Sequence, residues 1–454
     1  MMRTRTVLIA LSVLCGGLGP ARADTVRYGL ADCIKSALAT GPDMAAVAAD
    51  LAGARARLAN ARAARLGEDE YHQVLGFVNE AKGTVNFPDP NTKKNDVFNG
   101  LGPFTRIEMA LNIPLWTFGK LDGALKAAQE GVEGERAGGD AKRAEVIMNI
   151  KKLYYGLLLS RQLSLVLHDM LDSMDKAVGK TKARLEAGAT TVTEIDLLKL
   201  QAGRARFAGG VLEVDAAATL ARSALARAVG VDPSADFDVT DRKLLPVEAT
   251  IGPLDSYLAD APARRPEMRQ LASGVAALTA KVEMERAGYY PNLVLTTGVR
   301  WAHAPNRDQQ DNPFAWDEFN FVFPVGFLGV HWDLNFWRTE AKIDQARADL
   351  DRLTARRREA STGMQLEIER AYGEVTQQRD TIRVGEDGRK AGRALMVLTV
   401  SNFDLGIGEA EELFKALGTY TEASSNYLRA VHDYNVAVGA LSKAIGTELT
   451  NLQY

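Results

Sequence analysis

The sequence predicts a mainly α-helical protein with a small transmembrane β part, built as two tandem repeats of a strand hairpin plus a long coiled-coil helical hairpin. Three observations predict it. Between Phe104 and Leu115, Thr105, Ile107, Met109, Leu111, Ile113 and Leu115 share one parity while Arg106, Glu108 and Asn112 share the other, so the stretch is a strand with one apolar and one wet face. From Val146 to Leu185 the seam residues recur alternately at four and three positions through Ile150, Leu153, Leu157, Ser160, Ser164, Leu167, Leu171, Met174, Val178 and Thr181, the spacing of a coiled coil. The punctuation then repeats: Gly188 and Gly406 stand 218 residues apart, and Pro114 and Asp333, at matched strand ends, 219.

The chain opens Met1-Met2-Arg3-Thr4-Arg5, continues with an apolar run from Val7 to Leu18 and reaches Ala21-Arg22-Ala23. This is the pattern of a secretory signal over residues 1–23, with a mature start near Asp24. A lipoprotein signal using Cys15 is the alternative, but Leu14 occupies a position where that signal takes a small residue. Removal of Arg3, Arg5 and Arg22, with no acid in the segment, shifts the formal charge from −3 to −6. A mildly acidic exported chain gives no electrostatic reason to bind nucleic acid. Only Cys33 of the two cysteines then remains, so no disulfide forms within the chain.

In the first repeat, 24–230, Leu30 to Ala64 is helical and interrupted at Gly41-Pro42, where proline suits a new first turn. Tyr71 to Phe87 is strand-like, residues 88–103 form a polar loop rich in Pro, Asp and Asn, and the strand at 104–116 follows. A proline-free helix runs from about Leu121 to Ala187, on the order of 100 Å at 1.5 Å per residue. It breaks at a tip, 187–194, and a second helix returns from Thr193 to Val229. Residues 231–253 are a linker whose aspartates lack the glycine and terminal glutamate of a calcium loop. The second repeat, 254–454, has a helical stretch to Ala287 broken at Arg265-Pro266, strands at 289–302 and 318–336 around a loop at 303–317, and a helix from about Glu340 to Phe403. A tip at 404–412 follows. The closing helix carries a second seam at Leu413, Leu417, Tyr420, Ser424, Tyr427, Val431, Tyr434, Val438, Leu441 and Ile445.

Beyond the leader, no segment has the ~20 consecutive apolar residues of a membrane-spanning helix. The greasiest run, Phe319 to Trp332, is broken by Asn320, Pro324 and two glycines. Any crossing is therefore by strands, which after export means an outer membrane. All five tryptophans, Trp116, Trp301, Trp316, Trp332 and Trp337, lie in or beside the expected strands and none in a helix. Interfacial girdles place indoles there, because the ring is apolar while its N–H wants water; the alternative is the general preference of aromatics for strands. Four strands cannot close a barrel, so chains must share one: two would give eight strands, three twelve.

No catalytic pattern is present. His72, His168, His303, His331 and His432 are scattered without ligand spacing, and there is no nucleophile elbow, phosphate loop or dinucleotide fingerprint, so no enzyme, cofactor or metal is expected.

The segments LNIPLWTFGKLDGA and VHWDLNFWRTEAKI, the tips AGATTVTEIDLL and LGIGEAEELFKAL, and the seam up to Ala444-Ile445-Gly446 together resemble the TolC-like family of outer-membrane efflux and secretion channels over the whole mature length. The family's proline-turn-glycine pattern is kept as Pro114 and Gly119 but becomes Asp333 and Arg338 in the second repeat. The resemblance implies a homotrimer with a twelve-stranded barrel continuous with a periplasmic α-helical barrel. Gly83 and Val294 to Val299 would then lie at membrane level, in contact with outer-membrane lipid, and the loops 88–103 and 303–317 would face outside. It also implies a gate at the helix tips, opened by a periplasmic adaptor and an inner-membrane pump.

Six residues beyond each tip glycine, the resemblance makes Glu194 and Glu412 candidates for an acidic pore ring. Glu411 is a neighbouring candidate, and Lys415 stands where relatives carry a second acid and can neutralise Glu411 or Glu412. The same acids equally complement the helix dipole in a first turn. The adaptor-contact candidates are Gly188, Ala189, Thr190, Gly406, Ile407 and Gly408. A type I protein-secretion channel would use the same structure. A rival of another class is a periplasmic coiled-coil adaptor or scaffold, which would pair its helical hairpin with soluble β domains.

Overall fold

The structure is a computed structural model that describes residues 26–83, 100–189, 192–231, 237–310, 314 and 316–454. The signal segment with Cys15, most of the loop 88–103, and Thr190 lie outside the described residues.

The chain runs β1 (Val26–Tyr28), α1 (Leu30–Thr40), α2 (Pro42–Ala63), β2 (Glu68–Val78), β3 (Gly102–Trp116), α3 (Lys120–Glu186) and α4 (Glu194–Val229). It continues with β4 (Phe237–Val239), α5 (Leu254–Arg264), α6 (Pro266–Arg286), β5 (Asn292–His303), β6 (Phe321–His331), α7 (Phe336–Leu405) and α8 (Ala410–Ile445). Helices α3 and α7, of 67 and 70 residues, each turn back into a 36-residue partner. Their starts and stops follow local chemistry. Gly119, in the left-handed region at φ 100°, turns the chain from β3 into α3. Pro42 and Pro266 open α2 and α6, and Gly230, Gly406 and Gly446 close α4, α7 and α8 with positive φ. None of the expected seam residues is exposed: Ile150, Leu157, Met174 and Thr181 are buried in α3, and Leu413, Leu417, Val431, Val438 and Leu441 in α8.

Two cores sit at mid-height. One joins α1, the middle of α3, the end of α4 and β4 around Cys33, Ile34, Tyr154, Leu157 and Leu225. The other joins α5, α7 and the end of α8 around Ala261, Ile368, Val375 and Leu441. Here the linker holds a feature the sequence reading lacks: β4 pairs in parallel with β1, Val26 opposite Phe237 and Tyr28 opposite Val239. Three residues are too few for a period-two signal. The described aspartates of the linker act locally, Asp238 pairing with Arg161 at 2.5 Å and Asp241 accepting from the Tyr154 hydroxyl at 2.8 Å.

The remaining strands form one antiparallel sheet in the order β2-β3-β5-β6. Several bounds differ from expectation. The strand expected at 71–87 is β2, Glu68–Val78; beyond it the described residues hold isolated bridge positions at Ala81, which pairs with Arg307, and at Gly83, where φ is 84°. The strand expected at 318–336 is shortened at both ends by aspartate turns. Asp317 Oδ1 accepts from the Phe319 and Asn320 amides (2.9 and 3.1 Å), and Asp333 Oδ1 from the Asn335 amide (3.1 Å). Helix α7 therefore begins at Phe336, four residues early, and Trp337 stands in its first turn rather than beside a strand. A 3-10 turn at Ala287–Tyr289 likewise delays β5 to Asn292.

Candidate gate and membrane band

The sheet register separates two faces. Ile107 lies opposite Trp301 and Gln73, Met109 opposite Val299 and Tyr71, and Ile113 opposite Leu295, whose partner on β6 is Leu328. These share an apolar face on which Gln73 is a polar exception, its side-chain oxygen accepting from the Tyr71 hydroxyl at 2.9 Å. The other face carries Arg106, Glu108, Asn112, Thr296 and Arg300, with His72 opposite Glu108. Glu108 lies 3.5 Å from both Arg106 and Arg300, and Thr296 donates to Asn112 at 2.8 Å. Phe321, Phe323 and Phe327 of β6 also belong to this face, where the alternation on the edge strand gives way to apolar residues on both sides.

The aromatic residues gather at the two sheet ends. At the helix end, Phe118 stacks on Tyr290 and meets Trp116 edge-on, Trp332 meets Phe336 edge-on, and Trp332 Nε1 donates to the Tyr289 carbonyl at 3.1 Å. At the loop end Trp301 stacks on His303, and Trp316 packs on Phe321 and Phe323 of the polar face. Trp116 and the Ile107 rung that carries Trp301 are nine residues apart on β3. That is about 30 Å of strand, or roughly 21 Å along the normal at a 45° tilt, comparable to the ~25 Å apolar band of an outer-membrane barrel.

At the opposite end the two hairpin tips are fastened together. Gly188 (φ 74°) and Gly406 (φ 85°) make the turns, and Gly408 comes so near the backbone of α7 that a Cβ would sit 2.8 Å from the Phe403 nitrogen. Thr193 caps α4 by exchanging hydrogen bonds with Asp196. Arg184 then reaches from α3 to the end of α7, donating to the carbonyls of Phe403 (3.2 Å) and Asp404 (2.8 Å) with its guanidinium 5.8 Å from the Phe403 ring centroid. Lys180 pairs with Asp404 at 2.6 Å. Between α4 and α8, Lys199 lies 3.1 Å from Glu411, and Lys415 closes on the other oxygen at 2.8 Å. Hydrogen bonds from Lys415 and Lys199 hold the Glu411 carboxyl well down, at about 2. Beneath lies an apolar cluster of Met170, Met174, Leu200, Phe207, Phe403, Leu413 and Leu417. Gly203 belongs to it because a Cβ there would meet Phe414 at 2.6 Å.

The sequence-derived gate residues thus separate. Glu411 and Lys415 pair with each other. Glu194 and Glu412 are exposed, and among the described residues Glu412 makes no ion pair. Ala189 and Gly188 lie at one tip and Gly406, Ile407 and Gly408 at the other, with Ile407 75 % exposed. Sequence reasoning missed Arg184, Lys180, Lys199 and Asp404. The only local trace was the basic pair Lys180 and Arg184, one helical turn apart at the end of α3.

Among the described residues no group of His, Cys, Asp and Glu could hold a metal ion, and no helix is long and apolar enough to cross a membrane. An open apolar-banded sheet, continuous with helical hairpins of about 100 Å, defines the class of outer-membrane channel folds. Solved structures agree: the outer-membrane channel OprN superposes with a TM-score of 0.75 at 18% identity, covering 92% of this chain and 89% of that one. The open state of the Neisseria gonorrhoeae MtrE outer membrane channel gives 0.73 at 15% identity, covering 97% and 95%. Protein CyaE of Bordetella pertussis is 24% identical over 343 residues, 73% of this chain and 68% of its own length. The outer membrane efflux protein family matches residues 257–447, within the second repeat.

Proposed function

We propose that the chain is the outer-membrane component of a tripartite efflux system, a passive duct through the outer membrane and periplasm, and that three copies form it. The observation that carries this reading is the four-stranded sheet whose outer strands, β2 and β6, have unpaired edges among the described residues while the sheet runs directly into the long hairpins. Unpaired edges cannot stand in lipid, so the sheet needs further copies, and three supply the twelve strands of the family's barrel. The apolar face, with Ile107 and Met109, then faces lipid, and the face with Arg106, Glu108 and Asn112 faces channel water. A periplasmic adaptor would have no use for an apolar band flanked by aromatic residues at both ends. The leader at 1–23 directs export, the tip residues Gly188, Ala189, Ile407 and Gly408 meet a periplasmic adaptor, and Glu412 lines the closed constriction. An inner-membrane pump supplies the work.

The test combines fractionation with labelling. The protein should sediment with the outer membrane as a heat-modifiable oligomer, and spin labels at Ile107 and Glu108 should report lipid and water respectively. A soluble periplasmic monomer, or reversed accessibilities, would sink the reading.

A further inference from the structure

Between β5 and β6 the described residues 304–310 and 316–320 fold back over one face of the sheet. Asn306 lies against Gly102, where a Cβ would come within 2.3 Å of its side chain, and Phe319 meets Phe104 edge-on at 5.4 Å. Trp316 packs on Phe321 and Phe323, and Ala302 and Ala304 are buried beneath. Gly102, Phe104, Ala302, Phe321 and Phe323 all belong to the face of Arg106 and Glu108. The fold-back is fastened to the chain leaving β2. Asn306 Nδ2 donates to the carbonyls of Val78 (2.8 Å) and Gly100 (2.9 Å), Arg307 to that of Asn79 (2.9 Å), and the Asp308 amide to that of Ala81 (2.9 Å). The Gly83 amide donates to Asp308 Oδ2 (2.9 Å), and Lys82 lies 3.6 Å from Asp308. Asn320 and Asp317 brace its return into β6.

Such a concentration of charged and amide groups cannot sit in hydrocarbon, so the covered face is the watery one. Magnitudes decide what this does. Resting on the trimeric reading above, twelve tilted strands at about 4.8 Å spacing enclose a lumen of roughly 13 Å radius, backbone to axis. A packed layer of polypeptide is about 10 Å thick. Three inward layers therefore leave an aperture of only a few ångströms.

We propose that residues 304–310 and 316–320 form a second gate at the outer mouth, latched shut by Asn306 and Asp308 onto residues 78–83 and 100. Cargo leaving the duct displaces three copies of this latch, and bulky solutes outside are held back by it when the duct is idle. The trigger needs no covalent step, because every contact is a hydrogen bond, an ion pair or a ring contact near water.

The test uses Ala110→Cys, which places a thiol on the watery face below the latch, in whole cells expressing the full chain. A small maleimide added outside should label it, and a maleimide on a polyethylene glycol of about 5 kDa should not. Adding Asn306→Ala and Asp308→Ala should raise labelling by the large reagent at least tenfold, while Asp308→Asn, which keeps an acceptor for the Gly83 amide, should raise it less. Equal labelling by both reagents in the latched chain overturns the gate and leaves the channel standing. Failure of the small reagent to reach residue 110 in whole cells, with labelling restored in opened membranes, overturns the face assignment and the gate with it.

Discussion

Lys199 on α4 reaches across to Glu411 on α8, its Nζ 3.1 Å from Oε2, while Lys415 takes Oε1 at 2.8 Å. One carboxylate thus binds its own helix and the neighbouring hairpin. Its carboxyl is lowered to about 2 by hydrogen bonds from Lys415 first and Lys199 second. A depressed acid contributes fully above its ordinary value near 4.5, and the contribution disappears as pH falls through the folded value. The clasp should therefore persist at pH 4 and fail only towards pH 2. In planar bilayers, Glu411→Gln at neutral pH should raise the time spent in the conducting state, with wild-type conductance unchanged between pH 7 and 4. Because the pair is exposed, 1 M salt should mimic part of the substitution.

Glu412 should behave differently from its neighbour. Among the described residues it forms no ion pair, so Glu412→Gln should lower cation preference without altering the closed fraction. Reversal-potential measurements under a salt gradient check this, and unchanged selectivity would remove Glu412 from the pore.

Arg184 predicts a third outcome. Its two nitrogens end α7 by donating to the Phe403 and Asp404 carbonyls, a fork that a lysine ammonium cannot reproduce. Arg184→Lys should release the tip nearly as much as Arg184→Ala, read as faster cleavage by protease near residues 404–408 in the purified channel. A lysine variant indistinguishable from wild type would show that Arg184 acts only as a charge.

Much of this architecture was legible because its signals are long. A seam kept in register from Val146 to Leu185 leaves little freedom of interpretation, and the parity of Arg106, Glu108 and Asn112 against Ile107, Met109 and Leu111 survives as the two faces of the sheet. What stayed hidden depends on contacts between distant residues. Arg184 and Phe403 are 219 positions apart, and nothing local marks them as partners. The ends of β6 were misplaced because two aspartate side chains, Asp317 and Asp333, make turns within residues that otherwise favour strand. The contacts of 304–310 with residues 78–83 and 100 were hidden for the same reason, since a polar loop reads alike whether it stands free or packs on a neighbouring segment.

Mid-height stability rests on Lys151, whose side chain is 4 % exposed and whose Nζ lies 2.6 Å from Glu448. Burial acts to raise the Glu448 carboxyl, but Lys151, Thr450 and Tyr454 outweigh it and hold it below the usual range. By the same sign rule its contribution is present above the unfolded value near 4.5 and lost as pH falls below it. Lys151→Met leaves a half-buried carboxylate without its cation and should cost about 3 kcal/mol, seen as a lower melting temperature at pH 7. The difference from wild type should shrink as pH is lowered, because burial raises the Glu448 carboxyl once its cation is gone and in the variant it takes up a proton before the wild-type group does.

Cys33 provides a probe of that same region. It is fully buried between α1 and the mid-height core. Burial first, and then the charge of Asp32, push its thiol up to about 12. At pH 8 almost no thiolate exists and no reagent can reach it, so the native channel should not react with a chromogenic disulfide over hours. Exposure requires α1 to leave its seat against Tyr154 and Leu225. The rate of Cys33 labelling in rising urea should therefore track the unfolding of this mid-height core while the sheet and tips still give their native signals. Labelling that begins only with loss of the whole helical signal would mean that this core does not open as a separate unit.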